Sequence, residues 1–298
     1  MTDIGTPQTL AAKPFVSMPR EETYWQMSWY RFKKHKMAMA GLCFLLLIYL
    51  VAILAPYIAT HDYMEIDPTA TLQPPSREHL AGTDRVGRDI FSRLIYGSRI
   101  SLSVGFVAAG VAITIGTVVG AVAGYFGGVL DDVLMRITEV IMAMPVLFLL
   151  VTIAAVFPRS IYNVMLIIGL TSWPGVARLV RGQFLSLREM DYVEAARSIG
   201  VKNSRIVFAH ILPNTMAPII VSATLRVGGA ILTESALSFL GLGITNPPSW
   251  GTILEAGRNY IRQAPWICLL PGALIFLTVL AFNFVGDGLR DALDPRLK

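Results

Sequence analysis

Charge is what this 298-residue chain has least of: 15% of its residues are Asp, Glu, Lys or Arg, against about 25% in ordinary globular domains. Set beside 54% apolar residues and a mean hydropathy of +0.58, that deficit excludes a disordered chain, a fibrous repeat and most water-soluble folds. Cysteine is nearly absent. The two present, Cys43 and Cys268, lie inside apolar runs, so no disulfide framework is indicated. Histidine is equally sparse: His35, His61, His79 and His210 are scattered without ligand spacing, which argues against a metal site. None of the six lysines follows a glycine, so the Gly-Lys-Ser/Thr core of a phosphate-cradling loop is missing. The net charge of +5 is modest, and its placement matters more than its size.

Long apolar runs are what the chain has in abundance. A membrane-spanning helix needs about 20 mostly apolar residues, and six stretches qualify: roughly 38–59, 101–124, 133–157, 161–180, 214–240 and 266–286. The sequence therefore predicts an all-α, polytopic membrane protein with six transmembrane helices. The first run is too long and too late in the chain for a secretory signal, whose apolar region covers about 7–15 residues. The third carries Arg136 and Glu139 in its first turns, and the fourth is expected to be interrupted at Trp173-Pro174-Gly175. Arg226 and Glu234 sit in the fifth, and the sixth runs directly into Asp287. No His or Lys lies in any run, so the dyads and the His-Glu-x-x-His motif of intramembrane enzymes are missing.

Lys and Arg favour cytoplasmic flanks. With the N-terminus inside, the inner segments are 1–37, 125–132, 181–213 and 287–298, and all six lysines (Lys13, Lys33, Lys34, Lys36, Lys202, Lys298) fall there. Five arginines of the outer segment 61–100 run against the rule: Arg77, Arg85, Arg88, Arg93 and Arg99. Lysine placement outweighs them, and both termini are assigned to the cytoplasm. Residues 1–22, with Pro7, Pro14 and Pro19, read as a flexible tail. Residues 23–37 mix aromatic and basic side chains, as a helix lying on the inner membrane surface does. Gly116, Gly120 and Gly124 recur every four residues, which places them on one helix face where another helix can approach closely.

Between the fourth and fifth runs, the stretch from Asp191 begins as a short amphipathic helix, with Tyr192, Ala195, Ala196 and Ile199 grouped on one side. Gly200 offers a stop, a second helical stretch holds Ile206, Val207, Ile211 and Leu212, and Pro213 opens the fifth run. The residues alone describe a cytoplasmic knob or an interfacial linker. Glu194-Ala195-Ala196, Gly200 and Leu212-Pro213 resemble, at the required spacing, the EAA motif of permease subunits of bacterial ABC importers. His210 stands where that motif has isoleucine.

Four further segments resemble the C-type permease of the dipeptide and oligopeptide importers. They are Gly82-Thr83-Asp84-Arg85-Val86-Gly87-Arg88-Asp89 with its continuation to Leu102, Ser238 to Gly243, Ser249-Trp250-Gly251, and Phe282 to Pro295. The resemblance runs from about residue 24 to the end. It implies a type I ABC importer transmembrane domain, divided as a tail (1–22), an N-terminal region with the interfacial helix and first span (23–75), a core of five spans with the EAA loop (97–287) and a cytoplasmic tail (288–298).

The same resemblance implies a non-catalytic subunit without cofactor or metal, in the bacterial inner membrane. Its partners would be a homologous second permease, two ATP-binding subunits and an extracytoplasmic substrate-binding protein, with lipid around it and no nucleic acid. The cargo would be short peptides, with nickel, glutathione or another small solute as the alternative. The remote alternatives are a channel or ion-coupled transporter, which would not need an EAA knob, and an intramembrane enzyme, whose catalytic groups the spans lack. Asp191, Glu194, Ala195, Ala196, Gly200, Leu212 and Pro213 would couple to the ATPase. Arg85, Arg88 and Trp250 are candidates for docking the binding protein, against local pairing with Asp84 and Asp89 and a rigid proline turn.

Arg226 lies about 12 residues past Pro213, hence about 18 Å along its helix and near the middle of a hydrocarbon core of about 30 Å. A charge at that depth costs at least about 2.5–3.5 kcal/mol against lipid, so it must face protein or water. Glu234, eight residues further on, is about 80° round the helix and is not expected to pair with Arg226. Both are candidates for the translocation path, with Arg226 meeting the carboxylate of a passing peptide. Pairing with another span or with the partner permease is the structural alternative.

Overall fold

The computed structural model describes residues 24–158, 160–244 and 246–294; the tail expected over 1–22 lies outside the described residues. Among those described there is no strand, only an isolated bridge between Thr83 and Asp89. The chain opens with α1 (Tyr24–Lys34), α2 (Lys36–Ile53) and the short α3 (Ala55–Ile58). An irregular loop leads to α4 (Ile90–Phe126). Next come α5 (Gly128–Ala143), α6 (Val146–Val156), α7 (Ile161–Leu187), α8 (Asp191–Ser198) and α9 (Asn203–Arg205). A π-helical turn (Ile206–Ile211) then feeds α10 (Leu212–Phe239), followed by α11 (Trp250–Gly257) and α12 (Trp266–Leu293).

Five helical runs are long and apolar enough to cross a membrane, and α5 with α6 makes a sixth only as a bent pair, broken by 86°. The straight third span expected over 133–157 is therefore not what forms. Pro145 has no N–H to continue the ladder, and it stands at the break. Proline acts differently in α7, which runs unbroken through Pro174 where an interruption was expected. There Trp173, Val176, Ala177 and Val180 are buried against neighbouring helices, whereas Val146, Leu147 and Phe148 after Pro145 are exposed. Tertiary packing holds one proline inside a helix and leaves the other free to end one.

The glycine face of α4 is the seam of the bundle. A Cβ on Gly116 would strike Val176, one on Gly120 would meet Val180 at 2.8 Å, and one on Gly124 would meet Phe184 at 2.6 Å. In lipid there is no hydrophobic drive between helices, so such close backbone approach supplies the dispersion contacts that hold them. Asp131 of α5 and Arg181 of α7 lock the same seam by a two-pronged ion pair at 2.5 and 2.6 Å. Exposed apolar side chains such as Leu46, Leu47 and Leu50 of α2 form an outward face that suits lipid.

On one side of the bundle lie α8 and both ends of the described chain. α1 packs there on α12 through buried Phe32, and Arg31 donates to the Asp294 carbonyl at 3.1 Å. Trp29 and Tyr30 of α1 stay exposed, with Lys33 and Lys34 over their rings. α12 continues to Leu293, past the expected end near residue 286. The opposite side carries the loop from Ala59 to Asp89, α11 and the start of α12, whose Trp266 Nε1 donates to the Thr83 carbonyl at 3.3 Å.

Candidate functional site

α8 stands off the bundle as a knob. Asp191 and Glu194 occupy its first turn, where acidic residues suit the positive end of the helix dipole. Its stop is a Schellman closure: Gly200 adopts φ +79°, its N–H donates to the Arg197 carbonyl at 3.0 Å, and the Val201 N–H reaches back to Ala196 at 3.1 Å. A positive φ is costly for residues with a Cβ, so glycine fits this turn.

The amphipathic face is not the expected one. Val193 and Ala196 are the residues buried, in a cluster with Val180, Phe184, Ile206 and Ile211. Tyr192, Ala195 and Ile199 point outward instead, with Tyr192 43% and Ile199 80% exposed. Three- and four-residue spacing gives these three a shared face. Among the described residues, neither Asp191 nor Glu194 has a side-chain partner. The knob thus presents an apolar stripe and unpaired carboxylates away from the bundle.

Its base is rigid. Tyr125 at the end of α4 donates to Asn203 Oδ1 at 2.8 Å, and the Arg197 guanidinium lies 5.9 Å from the same ring. Leu212 N–H bonds five residues back to Val207, which makes the turn before it a π-turn. Pro213 follows, with no N–H for the carbonyl four residues earlier, and wider turns of this kind accommodate that defect. Leu212 is half-buried against the knob cluster, while Pro213 is exposed. The expected separate second helix is instead continuous with α10, giving one run from Asn203 to Phe239.

Arg226 and Glu234 are not brought together. Arg226 lines a cleft of about 380 Å³ among Ala109, Ala112, Ser172, Ser222 and Thr233. Its Nη1 donates to the Ser172 carbonyl at 2.7 Å, and its buried Nε has no partner. Gly175 makes room for the guanidinium, because a Cβ there would sit 2.6 Å from Nη2. Glu234 is buried, and accepts from Ser238 Oγ at 2.6 Å.

The side opposite the knob differs from expectation at Trp250. That side chain is fully buried, with Nε1 donating to the Leu94 carbonyl and its backbone N–H to Ser101 Oγ, both at 3.1 Å. It cannot serve as an exposed docking residue. Gly97, 3.3 Å away by its missing Cβ, leaves the slot that the indole fills. Arg85 is exposed, whereas Arg88 pairs with buried Asp84 at 2.7 Å. One grouping escaped the sequence altogether: His61, His79 and Asp89 converge in space despite having no spacing signal.

The chain matches two family descriptions. Residues 116–298 match "Binding-protein-dependent transport system inner membrane component", and residues 23–75 match "N-terminal TM domain of oligopeptide transport permease C". It is 45% identical to the dipeptide transport system permease protein DppC of Alkalihalophilus pseudofirmus, over 98% of this chain and 99% of the relative. It is 42% identical to the oligopeptide transport system permease protein OppC of Bacillus subtilis, over 92% and 90%. It is 42% identical to the glutathione transport system permease protein GsiD of Pectobacterium atrosepticum, over 97% of both. Among solved structures, an inward-facing MetNI methionine ABC transporter chain aligns with a TM-score of 0.52 at 20% identity, over 68% of this chain and 96% of that one. That likeness is one of fold.

Proposed function

Since this chain belongs to the binding-protein-dependent transport system inner membrane components, the non-catalytic permease subunits of ABC importers, we propose that it carries short peptides through the inner membrane. ATP hydrolysis is assigned to two partner subunits, and a homologous second permease completes the path. An extracytoplasmic binding protein delivers the cargo. The observation that carries this reading is the knob: Glu194 and the exposed Tyr192–Ala195–Ile199 stripe project from a base fixed by Gly200 and the π-turn. An unpaired carboxylate beside exposed apolar groups suits a groove with a cationic rim.

The peptide cargo is supported by the names of the relatives at 42–45% identity, with the glutathione relative as the specific reason to keep a second cargo in view. In this reading α8 and both chain ends face the cytoplasm. Residues 23–75 form the N-terminal region, and 97–287 the transport core. Asp191, Glu194, Ala195 and Ala196 meet the ATPase, with Gly200, Leu212 and Pro213 setting their position. Arg226 lines the path, where its guanidinium meets an anionic group of the cargo. Glu234 serves as an internal brace, and Arg85, with Arg88 behind it, faces the binding protein.

Reconstitution into proteoliposomes with the second permease, ATPases and binding protein tests the function. ATP-dependent uptake of labelled di- and tripeptides is the expected result. Uptake confined to glutathione or nickel reassigns the cargo, and ion-driven uptake by this chain alone overturns the reading. Orientation is checked by cysteine labelling of intact cells, with reaction expected at exposed Ser76→Cys and none at exposed Ser198→Cys.

A further inference from the structure

His61, at the end of the first span, His79, in the middle of the outer loop, and Asp89, at the start of α4, approach one another on the outer side. One ligand atom of each lies within 4.8 Å of the other two. His79 Nδ1 is 3.0 Å and His61 Nδ1 3.9 Å from the same oxygen, Asp89 Oδ1. The two rings lie 4.8 Å apart at a 33° tilt. Each group has a second contact that holds it in place, and the His61 Nδ1 also lies 3.1 Å from Thr60 Oγ1, a contact that a metal would have to displace. The other Asp89 oxygen accepts the Ser92 N–H at 2.8 Å as the N-cap of α4. Ser92 Oγ in turn accepts the His61 N–H at 3.1 Å, and Ser76 closes the turn that carries His79, at 3.0 Å.

The charge balance is the stronger argument. The Asp89 side chain is 1% exposed, and its ion-pair partners among the described residues are these two imidazoles alone. Arg93, one turn along, directs Nη1 to the Tyr63 carbonyl at 3.3 Å. Buried charges are paired or coordinate metals, and these two imidazoles are the groups placed to do either. We propose that His61, His79 and Asp89 bind a divalent transition metal ion, with zinc as the best-suited chemistry, stapling the outer loop to the N-terminus of α4.

Two imidazoles and one carboxylate make a borderline-soft N/O set that favours zinc, copper or nickel over magnesium or calcium. Metal bonds of about 2.0–2.2 Å put tetrahedral ligand atoms about 3.3 Å apart. Two of the separations already bracket that spacing, and rotation of the half-exposed His61 ring closes the set. The site is independent of the cargo and of any protein that docks outside.

The test uses the full chain in nanodiscs, carrying no histidine tag, stripped with EDTA and titrated calorimetrically with zinc chloride. One zinc per chain is expected, with magnesium giving no heat. Asp89→Asn keeps an equally good N-cap while losing the charge, and it and His61→Ala should each weaken zinc binding at least about tenfold. His79→Ala should do the same, and if that buried position fails to fold the other two variants still decide. Zinc should slow trypsin cutting at exposed Arg77 and Arg85 in the parent chain and not in the variants. No saturable zinc binding, or binding unchanged in both His61→Ala and Asp89→Asn, overturns the site; binding without protection from trypsin overturns the staple.

Discussion

The two segments that leave the bundle on opposite sides treat their polar groups in opposite ways. In the loop from Ala59 to Asp89, buried Asp84 accepts the Val86 and Arg88 N–H groups at 2.9 and 3.0 Å and the Arg88 guanidinium at 2.7 Å. Thr83 Oγ1 accepts the Gln73 N–H and donates to the Ala70 carbonyl. The knob does the reverse: its backbone is closed by Gly200, but Asp191, Glu194, Tyr192 and Ile199 all face outward. Where a segment satisfies its own polar groups, as around Asp84 and Thr83, it behaves as scaffold, and exposed Arg85 is what it leaves open to a partner. A segment rigid in its backbone and unsatisfied at its side chains is built as a contact surface. Mutations should divide accordingly, between those that cost stability and those that cost coupling.

The largest effect is expected at Asp84. Asp84→Ala strands two backbone donors and a guanidinium, and should lower the stability of the detergent-solubilised chain by about 3 kcal/mol. A change under about 1 kcal/mol in thermal or denaturant unfolding would erase the distinction between loop and knob. Next comes Glu194→Lys, which should leave unfolding within about 0.5 kcal/mol of the parent because the site is exposed. Its ATPase affinity, read by pull-down and by uptake, should fall roughly 30-fold, as about 2 kcal/mol implies. Gly200→Ala tests whether knob geometry matters apart from charge: the positive φ costs about 1 kcal/mol, with uptake lowered and Glu194 intact. The smallest effect belongs to Asp67, exposed on the loop, whose carboxyl the Thr69 hydroxyl and N–H hold below the ordinary 3.8. A lowered pKa adds stability above the ordinary value and loses it as pH falls through the folded value. Asp67→Asn should therefore lower stability slightly at pH 7 and converge on the parent as pH falls below 3.8, flattening the acid limb of the unfolding profile.

Several of these elements were legible in the chain before any coordinates. The apolar runs announce the helices, and the four-residue glycine spacing announces the α4 seam, because both are local periodicities. Gly200 is legible for a similar reason, since a turn needing positive φ selects glycine. The face of α8 is not. Val193 and Ala196 on one side and Tyr192, Ala195 and Ile199 on the other are all apolar or small, so the pattern alone cannot say which side the bundle takes. Pro145 and Pro174 sit in comparable apolar surroundings and differ only in what packs around them. Trp250 reads as an interfacial aromatic until Gly97 and Ser101, some 150 positions away in sequence, prove to form its slot. The His61–His79–Asp89 grouping depends on an irregular loop, for which no period exists.

The unbroken helical run from Asn203 to Phe239 has a mechanical side. Its 37 residues make a shaft about 55 Å long at 1.5 Å per residue, rooted in the knob by the Tyr125–Asn203 bond. Glu234 sits 31 residues from Asn203, hence about 46 Å from the root. A tilt of the shaft by about 5° at its root would sweep that residue through about 4 Å, the width of a side chain. Leverage of this kind comes from length alone, so an angular displacement too small to disturb the footing of the knob is magnified into a repacking-sized movement at the far end.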